Sequence, residues 1–154
     1  MPLHNLPNLI TDSLYIGGAQ LTKVSEKLKE IGIATPLGLL RAGASARGRQ
    51  DIANRTGISH LLILKWVNHV DLFRVKGVGP ESAELLEAAG VDTIKEFRNR
   101  VPENLHPKLL EVNTAKHLTG RVPSVEQLAE MIAIAKTLEP KITYSAAHSD
   151  SIQK

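Results

Sequence analysis

The sequence predicts an all-α fold in which two similar helical units pack as one compact domain. Three observations lead there. Helix start and stop signals recur along the chain, strand-like alternation is missing outside one short piece, Lys141–Tyr144, and a pattern repeats at an offset of 58 residues.

The helix signals come in order. Thr35 followed by Pro36 reads as an N-cap and a proline at the first helical position, where a missing N–H removes nothing from the helix. Ser45 caps a short helix through Asn54, and Gly57 just beyond it supplies a left-handed stop. Ser59 opens a longer helix on which Leu62, Trp66, Val70 and Phe73 recur at helical spacing. Pro80 starts a helix that runs through Leu85 and Leu86 and ends at Gly90, and Thr93 caps the next. Ser124 with Gln127 forms a capping box ahead of Leu128, Ile132, Ala135 and Leu138, one apolar face that stops before Pro140.

The repeat aligns Leu14, Glu26, Leu28, Gly32 and Thr35 with Leu72, Glu84, Leu86, Gly90 and Thr93. Tyr15/Phe73, Ile33/Val91 and Leu39/Phe97 are similar pairs. Both copies place a Leu four positions before a Gly, then an aliphatic residue, then Thr, with an apolar residue four positions later. Physically, a helix packs its Leu, stops at a left-handed Gly, buries one aliphatic side chain, and Thr caps the following helix. The expected division is 10–71 for a first unit, 72–144 for a second, and loose polar tails at 1–9 and 145–154.

Composition narrows the function classes. A chain of 154 residues buries about 68–70% of its unfolded surface and needs no metal or disulfide staple. With no cysteine, disulfide scaffolds, Cys-ligated zinc, iron–sulfur clusters and thiol catalysis are excluded. The run from Ile58 to Val70 is too short to span a bilayer and carries Lys65 and two histidines. Met1 to Ile10 has neither a basic start nor a long apolar stretch, so no signal peptide and a cytoplasmic location are expected, with no membrane partner. The formal net charge is +3, but it is unevenly spread: residues 1–77 hold 10 basic and 5 acidic groups, residues 78–154 hold 9 and 11. A basic face made mainly by the first half suits a polyanion.

One segment carries chemistry: Leu72 to Ala83, centred on Gly77-Val78-Gly79-Pro80. One helix ends at Leu72 and Val75, the glycines turn the chain sharply, and Pro80 starts the next helix. Val78 is expected to point into the core, and Ala83 is small enough for two helices to cross closely. The amides of Val78, Gly79 and Glu81 would then lie at a helix N-terminus, where donors and dipole favour an anion such as phosphate.

This segment resembles the helix-hairpin-helix superfamily: an apolar pair, Gly-apolar-Gly, and a small residue four positions on. Gly90-Val91-Asp92-Thr93 continues it as in the C-terminal domain of RNA polymerase alpha subunits. Over most of residues 10–144 the chain is similar to a bacterial family of unknown function built of tandem helix-hairpin-helix units. The residues that carry this are Trp66-Val67, Asp71-Leu72, Gly77-Val78-Gly79, Leu85-Leu86, Gly90 to Thr93, Glu111 to Asn113 and Ala135 to Leu138. The resemblance implies non-specific duplex binding through hairpin amides on backbone phosphates. Glu81 and Glu84 stand where such hairpins often carry Lys or Arg. In the first copy the hairpin has degenerated to Ala19-Gln20-Leu21.

The candidate nucleic-acid-binding residues are Arg74, Lys76, Gly77, Val78 and Gly79, joined by Arg47 and Arg49 from the basic stretch Arg41–Arg55. The plainer reading of that stretch is a solubilising helix face. Trp66, the one tryptophan, reads as core rather than as a stacking platform. The six histidines have no i, i+4 pair, so they read as surface or capping residues and no metal site is expected. No nucleophile elbow, phosphate loop or post-hairpin lysine appears, so no enzyme activity, cofactor or small-molecule substrate is expected. Two functions remain: a sequence-tolerant duplex-DNA-binding module, or a protein-interaction, self-association or scaffolding module in which the hairpin is only a turn.

Overall fold

The computed structural model describes residues 26–144. The degenerate turn at 19–21, the tails at 1–9 and 145–154, and His4 and His148 lie outside these residues. Among the described residues all regular structure is helical. A helical run at 26–30 precedes α1 (Pro36–Gly43), α2 (Ala46–Thr56), α3 (His60–Leu72), α4 (Pro80–Ala88), α5 (Ile94–Arg98), α6 (Pro102–Lys116) and α7 (Val125–Lys136). Residues 141–144 form no strand.

The chain forms two compact units. The second is Asp71–Pro140; the first takes the described residues up to Val70 and those from Lys141. Residues 141–144, expected at the end of the second unit, therefore pack with the first. Thr143 N–H donates to the Ala44 carbonyl at 2.8 Å, and the Tyr144 hydroxyl donates to Asn68 Oδ1 at 3.2 Å.

In the first unit α1 and α2 pack on each other. Thr35 caps α1 through Gly38 N–H at 2.9 Å, and Ser45 caps α2 through Gly48 N–H at 2.9 Å. Gly57 ends α2 with φ +76° and donates to the Ala53 carbonyl. Leu28, Leu39, Ile52, Ile63 and Trp66 are each at most 2% exposed. The turn between α1 and α2 is tight: a Cβ on Gly48 would stand 2.0 Å from the Ala42 carbonyl oxygen, a backbone atom that cannot swing aside. Gly48→Ala should therefore destabilise the chain by roughly 1–3 kcal/mol through forced opening of this turn, despite alanine's better helix propensity. A urea midpoint equal to or above that of the wild type would contradict the close approach.

In the second unit α7 packs against α5 and α6, and α6 against α4. The capping box on α7 is complete: Gln127 N–H donates to Ser124 Oγ at 3.1 Å, and Ser124 N–H to Gln127 Oε1 at 2.9 Å. Leu128, Ile132 and Ala135 are buried on the expected face, together with Met131. The longest helix among the described residues, α6, is not among the predicted elements. Its apolar signal is faint, with only Leu105 and Leu109 buried, and Pro107 inside it reads as a breaker.

The two Leu-to-Thr turns share one local geometry. Gly32 and Gly90 have φ of +86° and +93°. Ile33 and Val91 donate back to the Leu28 and Leu86 carbonyls at 2.9 and 2.8 Å, closing each helix end in the same way. Thr35 and Thr93 then cap the next helix, at φ −135° in both.

Candidate nucleic-acid interface

The turn between α3 and α4 is built from local backbone bonds. Val75 N–H donates to the Leu72 carbonyl and Val78 N–H to the Val75 carbonyl, both at 3.0 Å. The Val78 amide is therefore spent inside the turn and cannot hold a phosphate, which corrects the expectation from sequence. Its side chain is buried, as is Ala83. Gly77 has φ +99°, a conformation that L side chains rarely adopt. Gly79, at φ −110° and ψ −171°, is in ordinary extended backbone, so only the first glycine meets a conformational demand.

Gly79 is the N-cap of α4 and offers no side-chain cap, and Pro80 fills the first helical position. The first-turn amides of a helix have no intrahelical acceptor. At α4 these are Glu81 and Ser82, whose N–H groups stand at the positive end of the helix dipole.

The charges around this end are disposed unequally. Lys76 is exposed. Arg74 is tied down: its Nη1 lies 2.7 Å from Asp71 Oδ1 and 2.8 Å from the Glu139 carbonyl. Asp71 is buried, so this ion pair also fastens the segment after α7 to the end of α3. Glu81, one of the two acids expected with Glu84 to oppose an anion, accepts a hydrogen bond at Oε2 from the Thr119 hydroxyl at 3.1 Å. Thr119 is itself held by Asn113, which accepts from its N–H and donates to its carbonyl, each at 3.0 Å. Thr119, Asn113 and the neighbouring Arg121 were not legible as site residues, because nothing local in the sequence points from the α6–α7 loop to Glu81.

Arg47 and Arg49 lie on α2 of the first unit, and they differ sharply. Arg47 is exposed; Arg49 is fully buried. Arg49 Nη1 donates to the carbonyls of Gly43 (2.9 Å) and Ala44 (3.1 Å), and Nη2 to that of Thr143 (2.5 Å). The guanidinium also sits 5.9 Å from the Tyr144 ring centroid. Burial pushes its pKa below the ordinary arginine value, with Tyr144 acting the other way. Arg49 is thus withdrawn from any surface role. Arg41 and Arg55 are exposed, and Arg55 pairs loosely with Asp51 at 3.5 Å.

Trp66 is fully buried, in keeping with a core role. Of the histidines, His117 is the left-handed C-cap of α6, and His106 Nδ1 lies 3.0 Å from the Pro123 carbonyl. His69 is fully buried, contrary to the expectation of surface or capping positions.

The described residues define an all-helical protein in which α4, like α6, begins without a side-chain cap, and the α4 start follows shortly after the exposed Lys76. No helix among them is long and apolar enough to cross a membrane. The chain belongs to the family described as domain of unknown function DUF4332, whose model matches residues 19–138. No curated protein and no solved structure matches it.

Proposed function

We propose that this protein is a non-catalytic, sequence-tolerant nucleic-acid-binding module whose α3–α4 turn acts as a helix-hairpin-helix on duplex DNA. The observation that carries the reading is the uncapped start of α4. There the Glu81 and Ser82 amides await an acceptor beside exposed Lys76, while the Glu81 carboxylate is engaged by Thr119. A backbone phosphate oxygen supplies the acceptor and the charge that such an end favours. Arg74 contributes by fixing the turn, since its Nη1 is held by Asp71 and the Glu139 carbonyl. The two matching Leu-to-Thr turns support a structural duplication in which the second copy kept the binding hairpin.

The test is fluorescence anisotropy with a labelled duplex of arbitrary sequence across a salt series. Wild-type protein should bind at low salt more tightly than about 100 µM. Lys76→Glu should weaken that binding roughly tenfold and flatten the log–log salt slope by about 1, with an unchanged circular dichroism spectrum. Binding that Lys76→Glu leaves untouched would reduce the turn to a structural element, as in a scaffolding module.

A further inference from the structure

In the first unit, residues 141–144 form a strap over Arg49, and of the four only Ile142 is buried. The strap is held chiefly through the Thr143 backbone. Its N–H donates to the Ala44 carbonyl at 2.8 Å, and its carbonyl accepts from Arg49 Nη2 at 2.5 Å. Half-exposed Tyr144 adds a hydroxyl bond to Asn68 and sets its ring 5.9 Å from the guanidinium. A segment with one buried apolar side chain opens locally far more readily than the helices beneath it.

The guanidinium under the strap is incompletely matched. Nη1 is met by the Gly43 and Ala44 carbonyls at 2.9 and 3.1 Å. The other edge, Nε with Nη2, is a fork of parallel N–H donors that fits two oxygens of one anion. The strap gives that fork a single oxygen, on Nη2, and Nε is buried with no acceptor among the described residues. A fully buried donor left unmet in this way is costly. Among the described residues no ion pair includes Arg49, so neutral carbonyls alone share its charge.

We propose that the Nε–Nη2 edge of Arg49 is a phosphate-binding site masked by the Lys141–Tyr144 strap, with the Thr143 carbonyl standing in for one phosphate oxygen. Closed, the strap withdraws Arg49 from any surface role; lifted, it bares the fork. A phosphate group then supplies the second oxygen that Nε lacks and the negative charge that carbonyls cannot give. Nη1 stays on the Gly43 and Ala44 carbonyls throughout, so the guanidinium keeps its orientation. The phosphate is either a duplex backbone group or free phosphate, which present the same pair of oxygens. The site owes nothing to the α3–α4 turn.

The experiment follows hydrogen exchange of the Thr143 amide in the full chain, in inorganic phosphate, acetate or chloride at matched ionic strength and with the labelled duplex. Phosphate should speed that exchange about threefold or more over chloride, because binding captures the open strap. Thr143→Pro deletes the N–H that anchors the strap and changes no charge, so it should tighten phosphate binding about fivefold in calorimetry. Arg49→Lys keeps the charge but not the fork and should abolish the phosphate response. A response that persists in Arg49→Lys would put the phosphate elsewhere; should that variant lose its fold, Thr143→Pro still decides. One exchange rate in all four solutions, with Thr143→Pro binding phosphate no better than the wild type, would overturn the masked site. Acetate acting as strongly as phosphate would overturn the assignment to phosphate. Opening by the duplex alone identifies the backbone as the source. Opening by free phosphate in a chain that binds no duplex leaves this site standing and overturns only the nucleic-acid reading.

Discussion

Arg49→Ala is expected to destabilise the first unit by about 3–5 kcal/mol, a large fraction of the total stability of an ordinary domain. The side chain fills a fully buried position and gives hydrogen bonds to three carbonyls. Bonds involving a charged partner are worth roughly 1.5–3 kcal/mol each, and removing the donor strands all three acceptors. Part of that loss is returned because a buried guanidinium no longer has to be desolvated, a penalty visible in its lowered pKa. The substitution also releases the segment at Thr143, which Arg49 holds to the turn after α1. Arg49→Met keeps much of the aliphatic stem and should recover a fraction of the loss. Trp66 is the one tryptophan and is buried in this unit, so its fluorescence in a urea titration reads the effect directly. A shift of less than about 1 kcal/mol would show that water replaces the guanidinium without penalty.

Phe97→Ala should be as damaging in the second unit, with a loss of about 3–5 kcal/mol. α5 is five residues long, far below the length at which a helix holds itself together in water. It persists because Ile94 and Phe97 are both fully buried and because it packs against α7. Without the ring the helix has one anchor left, and the Thr93 cap that starts it loses its purpose. The preceding turn at Gly90, which Arg100 braces through the Gly90 carbonyl at 3.1 Å, should loosen with it. Phe97→Leu retains most of the volume and should lose about 1 kcal/mol. Far-UV circular dichroism in urea follows both variants, and equal losses for Ala and Leu would mean that burial of the ring is not what secures α5.

Much of the candidate site was legible beforehand, but not the parts that decide its charge. The helix start at Pro80, the buried Val78 and the need for a glycine at position 77 all follow from residues within a few positions of one another. The status of Arg74 and Glu81 does not. Arg74 is occupied by a carbonyl 65 residues away and Glu81 by a hydroxyl 38 residues away. Both partners arrive only when the later helices fold back. α6 escaped notice for a related reason: its two buried leucines are too few to make a periodic stripe, and its neighbours α4 and α7 supply the stability its own pattern does not advertise.

The linear order of residues by itself determined the helix ends of this protein. Thr35, Ser45, Thr93 and Ser124 each cap through an amide three residues on, and Gly32, Gly57, Gly77 and Gly90 each turn left-handed where the chain must leave a helix. Such interactions close within one turn of backbone, so the local sequence contains both partners. Only the tertiary structure decided which basic groups face water. Arg47 and Arg49 are two positions apart on one helix, yet one is exposed and the other is fully buried beneath a segment 94 residues further along. Among the described residues the positive count of the first half therefore overstates its exposed charge by the one guanidinium that folding buries. A charge's availability depends on the acceptors that folding brings to it, and those lie far along the chain.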